Sequence, residues 1–146
     1  METFISIAFT GTRKGMTEQQ GVELEYILKR AQSLGNVILH QGDCVGADEG
    51  ASYIAYLLDI PIVSHPPISS SKRAFWKKGV IEEKEPHDYL VRNRNMVDEC
   101  DVLIACPYES NEVLRSGTWA TIRYARKTKT KCQIIYPSGL VYGTVI

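Results

Sequence analysis

Residues 3–40, "TFISIAFTGTRKGMTEQQGVELEYILKRAQSLGNVILH", decide the fold. The first eight, 3–10, are mostly apolar, β-branched or aromatic and stop at Gly11, the pattern of a buried strand ending in a turn. Thr17 and Gln20, three apart, make a capping box. Leu24, Ile27, Leu28, Ala31 and Leu34 then fall on one helical face, and Gly35 closes the helix. Asn36 to His40 (NVILH) reads as a second strand. A buried strand, a crossover helix and another buried strand imply parallel pairing.

The same alternation continues outward. A helix over 48–58 turns Ala51, Ile54, Ala55 and Leu58 inward, and a strand over 60–64 follows. After a weakly patterned stretch, 65–88, come a helix at 89–99 with Leu90 and Val97 inward, a strand at 102–105, a helix at 118–127 and a strand at 133–136. This predicts one doubly wound α/β domain over 1–146, a mainly parallel five-stranded sheet with helices on both faces. In that plan ligands sit beyond the carboxyl ends of the strands, which points to the loops 11–16, 41–47, 65–88 and 106–117.

Composition excludes several partners. The chain has 146 residues, 17 Lys plus Arg against 17 Asp plus Glu, so no overall field draws it to nucleic acid or anionic lipid. No apolar run approaches the ~18 residues of a membrane span. Cys44, Cys100, Cys106 and Cys132 form no CxxC pair and no secretory leader is apparent, so reduced thiols and a cytoplasmic location are expected. His40, His65 and His87 follow no HxxxH or HxH spacing, and neither a metal nor a cofactor is expected. Tyr53, Tyr56, Tyr124 and Tyr142 are expected on the surface, where aromatic area suits a homo-oligomer.

Each of the loops carries polar chemistry. In GTRKG, Gly11, Thr12, Arg13, Lys14 and Gly15 combine a tight turn with bases suited to an anion, although neither GxGxxG nor a P-loop is present. In QGDCVGAD, Gly42 and Gly46 flank Asp43, with Ala47 and Asp48 opening a helix; backbone N–H groups there can meet phosphate and Asp43 can accept from ribose hydroxyls. Asp48 also reads as the cap of its helix, and Cys44 as a small buried side chain rather than a nucleophile.

The stretch 65–88 is a lid candidate, with Arg73 and Trp76 among Lys72, Lys77 and Lys78. Arg92 and Asn93 stand near the start of their helix, one turn from the ligand edge. Arg115, Ser116, Gly117 and Thr118 precede Trp119 at another helix start, with no Asp or Glu from Val113 to Ile146. A Ser or Thr cap, a helix dipole and a glycine that admits close approach make a phosphate cradle.

In order, GTR, GDCVGAD, RNRNMVD and RSGTW resemble the motifs of the SLOG superfamily, the Rossmann-like domains related to LOG cytokinin-activating hydrolases and to DprA recombination mediators. The resemblance spans roughly residues 3–139 and is strongest to short stand-alone bacterial and phage members. It implies a nucleotide or nucleotide-derived ligand, an ADP-ribose derivative or a cyclic nucleotide among them, held by the glycine-rich loops. LOG-type hydrolases use an arginine, matched by Arg92 or Arg94, and a glutamate in PGGxGTxxE. With Gly117 and Thr118 on the GT, that acid position holds Thr121, and Leu114, Arg115 and Ser116 replace PGG.

The expected function is therefore a sensor or sequestering sponge that binds its ligand without turnover. The alternative is a nucleoside 5'-monophosphate phosphoribohydrolase, its acid supplied by Glu112, by Asp43, or by Asp48 or Glu109. A DNA mediator is disfavoured, because phosphate-backbone binding rests on many Lys and Arg contacts.

Overall fold

The computed structural model describes residues 4–143. Its elements are β1 (Phe4–Gly11), α1 (Glu18–Gln32), β2 (Asn36–Gln41), α2 (Ala47–Leu57), β3 (Ile62–Ser64), a 3-10 turn (Ser70–Lys72), β4 (Val80–Glu83), α3 (Tyr89–Glu99), β5 (Val102–Cys106), α4 (Gly117–Lys127), β6 (Lys131–Ile135) and β7 (Val141–Tyr142). They build one sheet in the order β4-β3-β2-β1-β5-β6-β7, parallel except for the β6–β7 pair. The chain runs outward from β1 to β4, then returns to the other side of β1 with β5. The order therefore reverses between β1 and β5, and a crevice opens at such a reversal.

Period-two alternation along the central strands gives helices on both faces. Ile7 and Phe9 of β1 and Val102, Ile104 and Cys106 of β5 pack with Leu24, Leu28 and Ala31 of α1 and Ala47, Ala51 and Ala55 of α2. Their neighbours Ala8 and Leu103 face Met96 and Val97 of α3, and Ala105 faces Trp119 and Ile122 of α4. The capping box is as expected: Gln20 N donates to Thr17 Oγ1 at 3.1 Å, and Thr17 N to Gln20 Oε1 at 3.0 Å. Buried Gln20 also donates from Nε2 to Pro107 O and Ile135 O, both at 2.9 Å, tying α1 to the β5 exit and β6.

The sheet has seven strands rather than five. β4 (VIEE) is an edge strand whose last three residues are exposed, and β7 has two residues, so neither carries an apolar run that would announce it. The expected first strand began at Thr3, which lies outside the described residues.

Two expected inward positions face solvent. Leu34 is exposed because α1 ends two residues earlier. Leu90 is exposed because α3 turns Arg92, Asn93, Met96 and Val97 to the sheet instead. Tyr53, Tyr56 and Tyr142 are exposed as expected; Tyr124 is half-buried and donates its hydroxyl to Asp98 at 2.8 Å.

Candidate functional site

The crevice at the strand reversal encloses about 320 Å³, within the range of small-ligand sites. Its floor is the end of β1 and its walls are Gly11, Thr12, Arg13 and Lys14, the start of α3, the β5 exit at Tyr108 and Glu109, and residues 115–118. Thr12 N donates to Cys106 O at 3.1 Å, which extends the β1–β5 pairing and holds two walls in register.

Ser116 is the N-cap of α4, its Oγ accepting from Trp119 N at 3.2 Å. First-turn N–H groups have no intrahelical acceptor, and this cap takes only that of Trp119. A Cβ added at Gly117 would meet nothing within 4 Å, so the space above the helix start is open. Trp119, 1% exposed, anchors the helix from below.

Arg13, Lys14 and Arg115 surround this helix start, and among the described residues none has a carboxylate partner. Arg13 lies 4.4 Å from the Tyr89 ring and Lys14 3.9 Å from that of Tyr108. Two aromatic rings thus flank the basic crevice, in positions to stack on a planar group.

Arg92 also lines the crevice but is internally engaged. It donates to Gly42 O, to His65 O at 3.2 Å and to Asn93 Oδ1 at 2.6 Å, and its guanidinium lies 3.7 and 3.8 Å from Cys44 Sγ. Arg94 points away, over the Tyr124 ring. Of the two arginines considered from the sequence, Arg92 is the one at the crevice.

Asp48 and Glu109 are the carboxylates that line it. Asp48 does not cap α2; that position is Gly46, whose N–H goes to Glu49 Oε1 at 3.2 Å. Asp48 folds back to accept from Cys44 N at 3.1 Å. Burial pushes its carboxyl up to about 6 against the opposing pull of Arg92. Glu109 Oε1 is buried without a hydrogen-bond partner. Burial likewise raises the Cys44 thiol, which disfavours a thiolate nucleophile.

Several sequence expectations are corrected by position. Glu112 is not in the crevice; it pairs with Arg123 and Arg126, both at 3.0 Å, on the outer side of α4. Asp43, 1% exposed, accepts from Arg73 Nε at 2.7 Å and Trp76 N at 2.9 Å, leaving no free edge for ribose. The lid candidate is stitched down: Val45 N donates to Lys72 O at 2.9 Å, Ala74 N to Asp43 O at 2.7 Å, and Arg73 also binds Glu83. Trp76 packs on the core and donates its indole N–H to Lys78 O.

Gly42, Gly46 and Ala47 do not line the crevice either. Gly46 has φ 92°, and a Cβ there would lie 2.2 Å from Arg13 O. Ala47 N donates to Thr12 O at 2.9 Å. The glycines of the second loop therefore buttress the first, while Cys44 and Asp48 of that loop reach the crevice.

Gly11, Thr12, Arg13, Asp48, Arg92, Asn93, Arg115, Ser116, Gly117 and Thr118 are brought together as expected. Tyr89 and Tyr108 were missed. Tyr89 is the first helical residue after the Asp88 cap and Tyr108 the second residue beyond β5, and that placement was the available signal.

No family model matches the sequence, and no curated protein matches it at the sequence level. Solved structures do. The molybdenum cofactor binding protein of Rippkaea orientalis is 20% identical with a TM-score of 0.67, covering 92% of this chain and 77% of that one. DNA processing protein A of Helicobacter pylori, which binds single-stranded DNA, is 20% identical with a TM-score of 0.64 over 89% of this chain and 64% of its own, so this chain spans less than two thirds of that protein. The structural-genomics target TM1055 is 14% identical with a TM-score of 0.63, covering 88% and 72%. At these identities the likeness shows a shared Rossmann-like α/β fold, the fold that the resemblance implied.

Proposed function

We propose that the crevice binds a phosphorylated nucleotide or nucleotide-derived signal, such as an ADP-ribose derivative or a cyclic nucleotide, and holds it without turnover. The observation that carries this is the trio Arg13, Lys14 and Arg115 around the start of α4, with no carboxylate partner among the described residues. A phosphate there meets helix N–H groups, the positive end of the dipole and charge-assisted donors. Tyr89 and Tyr108 supply faces for the base. The likeness to a cofactor binding protein supports a small-molecule ligand.

Turnover lacks the acid at the position that the resemblance implies. Thr121 occupies the expected glutamate position and donates its hydroxyl to Gly117 O at 2.8 Å, within its own helix. Asp43 and Glu112 are spent in ion pairs. The unpartnered oxygen of Glu109 favours one second reading, an N-glycosidic hydrolase acting on a nucleoside monophosphate, with Glu109 stabilising the sugar cation or positioning water.

The test incubates purified protein with nucleoside monophosphates, ADP-ribose derivatives and cyclic nucleotides, followed by mass spectrometry of bound and free fractions. Recovery of one ligand intact from heat-denatured protein is expected. Accumulation of free base and ribose phosphate, abolished in Glu109→Gln with affinity spared, replaces this reading with the hydrolase. Retention of none of the panel removes both.

A further inference from the structure

We propose that His40, His65 and Glu99 form a binding site for a divalent cation of the zinc class, separate from the nucleotide crevice. The sheet brings the residues together. His40 pairs in register with Val63, and His65, two residues beyond Val63, lies on the same side by period-two alternation. Leu39, the neighbour of His40, belongs to the α1–α2 core, so His40 faces the opposite side, where the last turn of α3 delivers Glu99.

The donor geometry suits one ion. His40 Nδ1 and His65 Nε2 are 2.8 Å apart, His65 Nε2 and Glu99 Oε2 are 3.4 Å apart, and all three donors lie within 4.8 Å of one another. Donors about 2.0–2.2 Å from a tetrahedral zinc are separated by ~3.3 Å, between the two shorter distances. Glu99 is 41% exposed at its side chain and has room to close the third.

One of the facing nitrogens carries the proton of their mutual hydrogen bond. On coordination that proton is lost to solvent and the far nitrogen of the same ring is protonated in turn, so no net proton is released. Lys84 sits 3.4 Å from the other oxygen of Glu99, Oε1, and 3.1 Å from Glu82, leaving Oε2 turned to His65. Arg92, which donates to His65 O at 3.2 Å, adds a second positive charge beside Lys84, so the cation is held by its three donors rather than by net charge. Two imidazoles and one carboxylate leave a fourth tetrahedral position on the exposed side, for water.

Tag-free protein titrated with Co²⁺ and followed by visible absorption tests the site. One equivalent of four-coordinate cobalt, displaced by Zn²⁺ and free of thiolate charge-transfer bands, is expected. Glu99→Gln, at a half-exposed position, should weaken binding by about tenfold or more, and His65→Gln should abolish the bands. A cobalt spectrum unchanged from the hydrated ion, equal affinity in Glu99→Gln, or thiolate bands from the cysteines overturns the proposal; the pair is then a buried hydrogen bond between neutral histidines.

Discussion

The two sides of the carboxyl edge of the sheet carry similar residues and use them differently. On the β2–β3–β4 side, Asp43, Arg73, Lys77 and Glu83 are joined in ion pairs and Trp76 is packed down. On the β1–β5 side, Arg13, Lys14 and Arg115 face an open crevice without a carboxylate partner among the described residues. Both sides carry basic and aromatic residues. The difference is whether each charge already has its counter-charge, and only the unspent side has interaction energy left for a ligand.

The largest effect expected from breaking this contrast is Asp43→Ala. It leaves Arg73 and the Trp76 N–H facing an empty buried position and should cost about 3 kcal/mol in urea unfolding, while nucleotide affinity changes by no more than roughly twofold, since the residue lies outside the crevice. Loss of affinity with stability kept would place the ligand on the wrong side.

Asp48 should show a comparable effect, through pH. Its folded carboxyl is raised from 3.8 to about 6, so between those values the folded state holds a proton that the unfolded chain has lost. Stability from this group is therefore full at the acid end of that window and falls as pH rises through it. Relative to wild type, Asp48→Asn should gain up to about 3 kcal/mol between pH 4 and pH 7, read by denaturant titration at each pH. The buried histidines titrate in both proteins and cancel from the difference. A gap that stays flat with pH would mean that Asp48 is ionised throughout.

Arg13→Ala should weaken nucleotide binding roughly tenfold or somewhat more, the worth of one charge-assisted hydrogen bond, with stability within about 0.5 kcal/mol because the side chain is exposed. Isothermal titration that finds wild-type affinity would remove Arg13 from the cradle. The smallest effect is expected from Gly117→Ala. Its methyl group meets no protein atom, so the melting temperature should hold while affinity falls a few-fold, about 1 kcal/mol or less, from crowding of the anion. Unchanged affinity would move the phosphate away from the start of α4.

Much of this molecule is legible locally. The capping box at Thr17 and Gln20, the inward face of α1 from Leu24 to Ala31, and the Ser116 cap all follow from spacing that a single element enforces. So does the gathering of Gly11–Arg13 with residues 115–118, because strand–loop–helix order alone sends both to the same edge. The segment 65–88 was not legible, since β4 pairs through its backbone and shows little apolar patterning. Asp43 and Glu112 looked available because their partners, Arg73 and Arg126, are 30 and 14 residues away.

By itself the sequence determined the doubly wound plan, the sheet edge where the crevice opens and the helix start that lines it. These rest on hydrophobic period, caps and turns, which act over a few residues. Only the tertiary structure decided which charges are paired and which are free, that Glu109 rather than Glu112 reaches the crevice, and that His40 and His65 meet. Those outcomes depend on distances across the sheet, where hydrogen bonds are lost within a few ångströms, ion pairs weaken with separation and sequence separation says nothing about proximity.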